Sequence, residues 1–186
     1  MSESNLIIVV GQEGSGKSTT VRALLGVTPQ GAQIDAEDVG AVNPWRMDDA
    51  FIRLLHANVA DLTRNFWDAG YQNVIAGGFM SNYGHYQQFR GRLAPDANVY
   101  IIHLCATKQI RDARRIERDK ETSEEWRDMV DLADPKDSTL QNQDGGYRYI
   151  RMDNDALTVA DTVATVRRAI PEIYGLIDPD GKAHPN

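Results

Sequence analysis

Residues Gly11 to Ser18 read GQEGSGKS, which meets the pattern G-x-x-x-x-G-K-[ST] at every fixed position. Such a loop binds phosphate through backbone N–H groups. Gly11 permits a sharp turn after the apolar run before it, and Gly14 and Gly16 leave the main chain free to gather N–H groups around phosphate oxygens. Lys17 is placed to reach the β and γ phosphates, and the Ser18 hydroxyl to bind Mg²⁺. A helix starting at Lys17 would aim its positive end at the same ligand. The phosphate-binding set is therefore Gly11, Gly14, Ser15, Gly16, Lys17, Ser18 and Thr19. The alternative, a glycine-rich turn with an exposed lysine, does not require the strand before and helix after that this motif has.

Two further groups carry chemistry. QIDAEDVG places Asp35 and Asp38 about twenty residues beyond Lys17, just after a second apolar run. At the carboxyl end of a parallel strand, such a carboxylate faces the phosphate crevice, where it accepts a hydroxyl proton or orients a Mg²⁺-bound water. A helix N-cap is the structural alternative for Asp35. Arg111, Arg114, Arg115 and Arg118 recur at spacings of three and four and form one stripe on a helix. That stripe either neutralises charge on a transferring phosphoryl group or is a solvated face paired with Asp112, Glu117 and Asp119. Trp45, Arg46, Asn82, Tyr83, His85 and Arg90 are acceptor-site candidates, with a core staple for Trp45 and a surface position for His85 as the alternatives.

Several classes are excluded. The formal charge of −7 disfavours an extended nucleic-acid footprint. A guanine-reading N-K-x-D string is lacking, and the one D-x-x-G string, Asp178 to Gly181, falls in the tail. No L-S-G-G-Q signature or strand ending in a carboxylate pair suggests a transporter-type ATPase. Cys105, the single cysteine, reads as a buried structural thiol, and no ligand spacing suggests a structural metal. Without a signal-peptide layout or an apolar run of about 20 residues, the expected location is cytoplasmic, away from membranes.

The elements that must position these groups alternate. Apolar runs at Asn5–Val10, Ala32–Asp35, Gln72–Gly77, Asn98–Cys105 and Tyr147–Met152 read as strands, several of them continuous, as parallel strands covered on both faces are. Helices are expected from Lys17, from Asp48 to Ala69, near Tyr83 and Lys108, at a capping box from Thr122 to Glu125, and from Thr158. Phe51, Leu54, Leu55, Val59, Leu62 and Phe66 should face inward on the long helix, and Leu157, Val159, Val163, Val166 and Ile170 on the last. Ala133–Gly146 reads as a loop, a lid edge or an acceptor loop. The fold class is α/β: a three-layer P-loop NTPase fold with about five parallel strands flanked by helices. One domain spans residues 1–177, followed by a flexible tail, 178–186.

With GQEGSGKST, Asp35 after the second strand, AGGF after the third, RDARRIERD after the fourth and MDNDALTVADTVATVRRAI at the end, the chain resembles the small P-loop kinases typified by shikimate kinase, gluconate kinase and chloramphenicol phosphotransferase, with a looser likeness to zeta toxins. The resemblance implies ATP and Mg²⁺ as cofactors. It implies Asp35 as the residue that binds or deprotonates the acceptor hydroxyl and, with Ser18, as a metal contact. Arg114 and Arg118 become the candidates from a lid near 106–146, and the last strand–helix junction the segment that touches adenine, with a plain last layer of the fold as the alternative for that junction. The expected activity is phosphoryl transfer to a small polar hydroxyl acceptor. A nucleotide-dependent regulatory module without transfer and a kinase acting on nucleic-acid ends are the alternatives. The acceptor and the oligomeric state stay open.

Overall fold

A computed structural model describes residues 4–44, 46, 48–118, 123–133, 139–141 and 144–175. The chain runs β1 (Asn5–Val10), α1 (Lys17–Leu25), β2 (Gly31–Asp35), α2 (Ala36–Val39), α3 (Asp49–Asp68), β3 (Asn73–Gly77), α4 (Tyr83–Arg90), β4 (Asn98–Cys105), α5 (Lys108–Ile116), α6 (Glu124–Ala133), β5 (Arg148–Asp153), α7 (Val159–Ala169) and α8 (Pro171–Tyr174). All five strands are parallel, in the order β2-β3-β1-β4-β5. Every residue of β1 and β3 is buried, as their unbroken apolar sequences require.

Alternation along β1 divides the core. Leu6, Ile8 and Val10 pack with Phe51, Leu55 and Val59 of α3 and Tyr86 and Phe89 of α4. Ile7 and Val9 pack on the other face, with Val21 and Leu24 of α1, Val166 of α7 and Ile173 of α8. The result is three layers, helix, sheet and helix. Register in the centre is pinned by three asparagines that begin adjacent strands. Asn5 Nδ2 donates to Asn73 Oδ1 at 2.8 Å, and Asn98 Nδ2 donates to Asn5 Oδ1 at 3.0 Å. A one-residue slip of β3 or β4 would break these bonds, the first of them buried, and turn every side chain to the wrong face.

Some expectations change. Leu54 is 46% exposed, while His56 and Thr63 lie buried on α3 in positions the apolar pattern did not claim. Thr63 is tolerated there because its hydroxyl donates to Val59 O at 2.7 Å. Val159 is 47% exposed, since Thr158 and Asp161 form the capping box that starts α7 at the rim of a cavity rather than in the core. Parts of the expected loop are packed: Leu140 is fully buried, Tyr147 Oη donates to Leu140 O at 2.6 Å, and Tyr86 Oη donates to Gly145 O at 2.8 Å. The short helices α2 and α8 were not legible in the pattern. Trp45, Asp119, Lys120, Thr122 and the tail 178–186 lie outside the described residues. Among the described residues, no helix is long and apolar enough to cross a membrane.

Candidate functional site

Because the strands are parallel, their carboxyl ends share one edge. The loop after β1 lies between β3 on one side and β4 on the other, the position at which open α/β sheets bind ligands. Gly11, Gly14 and Gly16 have φ of 143°, 81° and 100°. A Cβ on Gly11 would sit 2.4 Å from Leu104 O, and one on Gly14 would sit 2.8 Å from Arg111 O. Only glycine fits at either place. Gly16, as the N-cap of α1, brings no side-chain bond, so no side-chain cap occupies the N–H groups of the first turn. Lys17 Nζ curls back to donate to Gly11 O at 2.7 Å and Gln12 O at 3.2 Å. Ser18 is half-buried, Thr19 exposed and Ser15 buried with its Oγ unpartnered. This glycine cradle and uncapped helix start fit a phosphate chain, and the Ser18 hydroxyl at the head of α1 fits a Mg²⁺ ligand.

Beside the loop opens a cavity of about 350 Å³, bounded by Gly16, Thr19, Arg114, Arg118, Asn154 and Val159. Asn154 is its hub. Its Nδ2 donates to Ser15 O at 2.7 Å, its Oδ1 accepts from Thr162 Oγ1 at 3.3 Å, and its backbone N–H donates to Cys105 O at 2.7 Å. Arg114 bonds both halves of this junction, through Nη1 to Ser15 O at 3.3 Å and Nη2 to Asn154 O at 2.7 Å. Asn154 had not been singled out in the sequence. The rule that pointed to Asp35, a polar residue directly after a parallel strand, applies equally to it.

The arginine stripe divides. Arg114 and Arg118, one helical turn apart, face the cavity. Arg111 and Arg115, also one turn apart, are buried and face α6, where both meet the Asp131 carboxylate. A four-residue spacing keeps each pair on its own face of α5.

Asp35 ends the edge strand β2, in register with Gly77 of β3 and on the same edge of the sheet as the glycine loop. Its Oδ1 accepts from Glu37 N at 3.2 Å as the N-cap of α2, and its Oδ2 lies 3.8 Å from Arg22 Nη2. The cap is thus present, and one carboxylate oxygen is left facing a cation. Glu37 and Asp38 are exposed. Among the acceptor candidates, Asn82 caps α4 by accepting from His85 N at 2.9 Å, and Arg90 donates to Ala94 O and Pro95 O, both at 2.7 Å, closing the turn before β4. Arg46 pairs with Asp48 at 3.6 Å. His85 stacks edge-on against the buried His56, whose pKa is lowered to about 4 chiefly by burial, with His85 adding to the shift. Among the described residues no group of three metal-ligating side chains occurs.

No family model matches the chain, and no curated protein matches it. Solved structures do. A sugar kinase from a Janibacter species is 15% identical, covering 93% of this chain and 96% of its own, with a TM-score of 0.67. A gluconokinase from Sinorhizobium meliloti is 16% identical over 93% of this chain and 96% of its own, with a TM-score of 0.63. A fungal RNA kinase is 14% identical over 92% of this chain but only 45% of its own, with a TM-score of 0.65. The chain therefore shares the α/β fold of small P-loop kinases.

Proposed function

We propose that this protein is an ATP- and Mg²⁺-dependent kinase that phosphorylates a hydroxyl of a small polar molecule. The observation that carries the proposal is the glycine cradle of residues 11–16. Its left-handed glycines precede the uncapped start of α1, and it sits beside the cavity reached by Arg114 and Arg118. ATP with Mg²⁺ supplies the transferable phosphoryl group and neutralises part of its charge. The backbone N–H groups of Gly14 to Ser18 hold the phosphate chain. Lys17, which now donates to Gly11 O and Gln12 O, would bind the terminal phosphate, and the Ser18 hydroxyl would hold Mg²⁺. Asp35 accepts the proton of the acceptor hydroxyl as its oxygen bonds to the terminal phosphorus and the bond to the leaving ADP oxygen breaks. Arg114 and Arg118 offset the charge that develops on the transferring group.

The likeness in fold to kinases of sugars and gluconate supports a small-molecule acceptor, and the likeness to an RNA kinase supports a nucleic-acid end as the second reading. The net charge of −7 favours the first. The test is ADP release from Mg²⁺ and ATP across sugars, sugar acids, nucleosides, hydroxyl-bearing antibiotics and oligonucleotides with free hydroxyl ends, with Lys17→Ala as the blank. Stimulation by a small molecule supports the proposal; stimulation by oligonucleotides alone selects the second reading. Silence across the panel with ATP bound points to a regulatory module.

A further inference from the structure

Helix α6 presents its charges to the protein. Asp131 Oδ2 accepts from Arg111 Nη2 at 2.6 Å, and Asp131 Oδ1 accepts from Arg115 Nη2 at 2.7 Å. Both arginines are within 5% of full burial. Arg115 reaches further: its Nη1 donates to Asp112 Oδ1 at 3.0 Å, and its Nη2 also donates to Glu13 O at 3.0 Å. Glu13 stands inside the glycine loop, immediately before Gly14, where an added Cβ would run into Arg111 O at 2.8 Å. Around this centre Lys108 bonds Asp112 at 2.5 Å and Asp128 at 3.0 Å.

A buried guanidinium with carboxylate partners on two sides has one geometry available to it, because its donors form a rigid planar fork. Arg115 is fixed in this way by Asp131 and Asp112. Its remaining contact falls on a main-chain carbonyl of the loop. A carbonyl that points outward toward Arg115 turns the N–H on the far side of the same peptide, that of Gly14, in the opposite direction, because the peptide is planar and trans. Inward N–H groups are what a phosphate nest consists of.

We propose that Asp131 is a positioning residue for the phosphate cradle. Through Arg115 it holds the Glu13 carbonyl outward, so that the loop is shaped for a phosphate chain before the ligand arrives. The inference rests on the reading that residues 11–18 bind phosphate. It adds a carboxylate on α6, which itself touches no ligand, to the determinants of affinity.

The experiment is calorimetric titration of the full chain with ATP and, separately, with inorganic tripolyphosphate. It compares the wild type with Asp131→Asn, Arg115→Lys and Asp128→Asn, well below the melting temperature of each. Asp131→Asn and Arg115→Lys should weaken both ligands by the same factor, about tenfold or more, since a charge-assisted bond is lost and the effect lies in the cradle rather than at the base. Asp128→Asn, which loses an ion pair on the same two helices without a link to the loop, should bind as the wild type does.

Wild-type affinity in folded Asp131→Asn and Arg115→Lys, accompanied only by a lower melting temperature, would make the cluster structural and overturn the proposal. Failure of both variants to fold would do the same. Weakened ATP with unchanged tripolyphosphate would also overturn it. If the wild type binds neither ligand, the phosphate reading itself is wrong, an outcome distinct from the others.

Discussion

Asp35 caps α2 and is also the proposed base, and two substitutions separate these functions. Asp35→Asn retains a capping oxygen, so stability and ATP binding should persist while transfer falls by about a hundredfold or more, read as ADP release at saturating acceptor. Asp35→Ala should add a loss of about 1 kcal/mol in urea unfolding. His56 gives a pH test. Its pKa is lowered to about 4 by burial among Phe79 and Phe89, with the positive charge of His85 and Arg92 acting in the same direction. Above about pH 6.5 it is neutral folded and unfolded and contributes no pH dependence. Between about 6.5 and 4 the unfolded chain takes a proton that the folded one refuses, so stability falls as pH falls, by up to about 3 kcal/mol. His56→Phe should flatten that slope in denaturation curves recorded across the range. At this scale the shape of the glycine loop was legible because its turns and the uncapped start of α1 are made by neighbours in sequence. The place of Asn154 directly after a strand could be read in the same way, but its bond to Ser15 and that of Asp131 to Arg115 span 139 and 16 residues, and only the fold shows them.

Among elements, the strands could be read within a residue of their ends, since burial on both faces leaves an unbroken apolar run in β1, β3 and β4 and the edge strands β2 and β5 keep a shorter β-type pattern. Helix faces were less legible. The spacing that joined four arginines into one stripe also allows two pairs on neighbouring flanks of α5, and only the placement of α6 shows which flank is covered. That helix is reversed: Trp126, Met129 and Leu132 are exposed, at 37%, 58% and 83%, while Asp131 and Arg127 turn inward. Sequence reasoning that sends apolar residues to the core fails here, because the surface that α6 covers is itself made of arginine. Accordingly Leu132→Glu should change stability by no more than about 0.5 kcal/mol, whereas Asp131→Ala, which strands two buried guanidinium groups, should cost about 3 kcal/mol or more in chemical denaturation.

At the scale of the whole molecule, the asparagine bonds across β3, β1 and β4 make the sheet centre one cooperative unit. Asn5→Leu removes the shared partner of Asn73 and Asn98 and should lower stability by about 2 kcal/mol, measured by urea denaturation. The strand order was not readable from the alternation of elements, which is compatible with several arrangements; it is set by which connections pack. The place of β1 in that order also governs how the protein is made. The ribosome delivers β1 ahead of both its neighbours, which begin at Asn73 and Asn98, and the loop that follows takes its shape against Leu104, Arg111 and Asn154. Until β3 and β4 follow, this apolar strand waits without a partner, exposed to chaperones and to other nascent chains. The phosphate motif is thus translated well before it can acquire a form, and a nascent chain stalled before Asn154 emerges should carry the whole motif and hold no nucleotide.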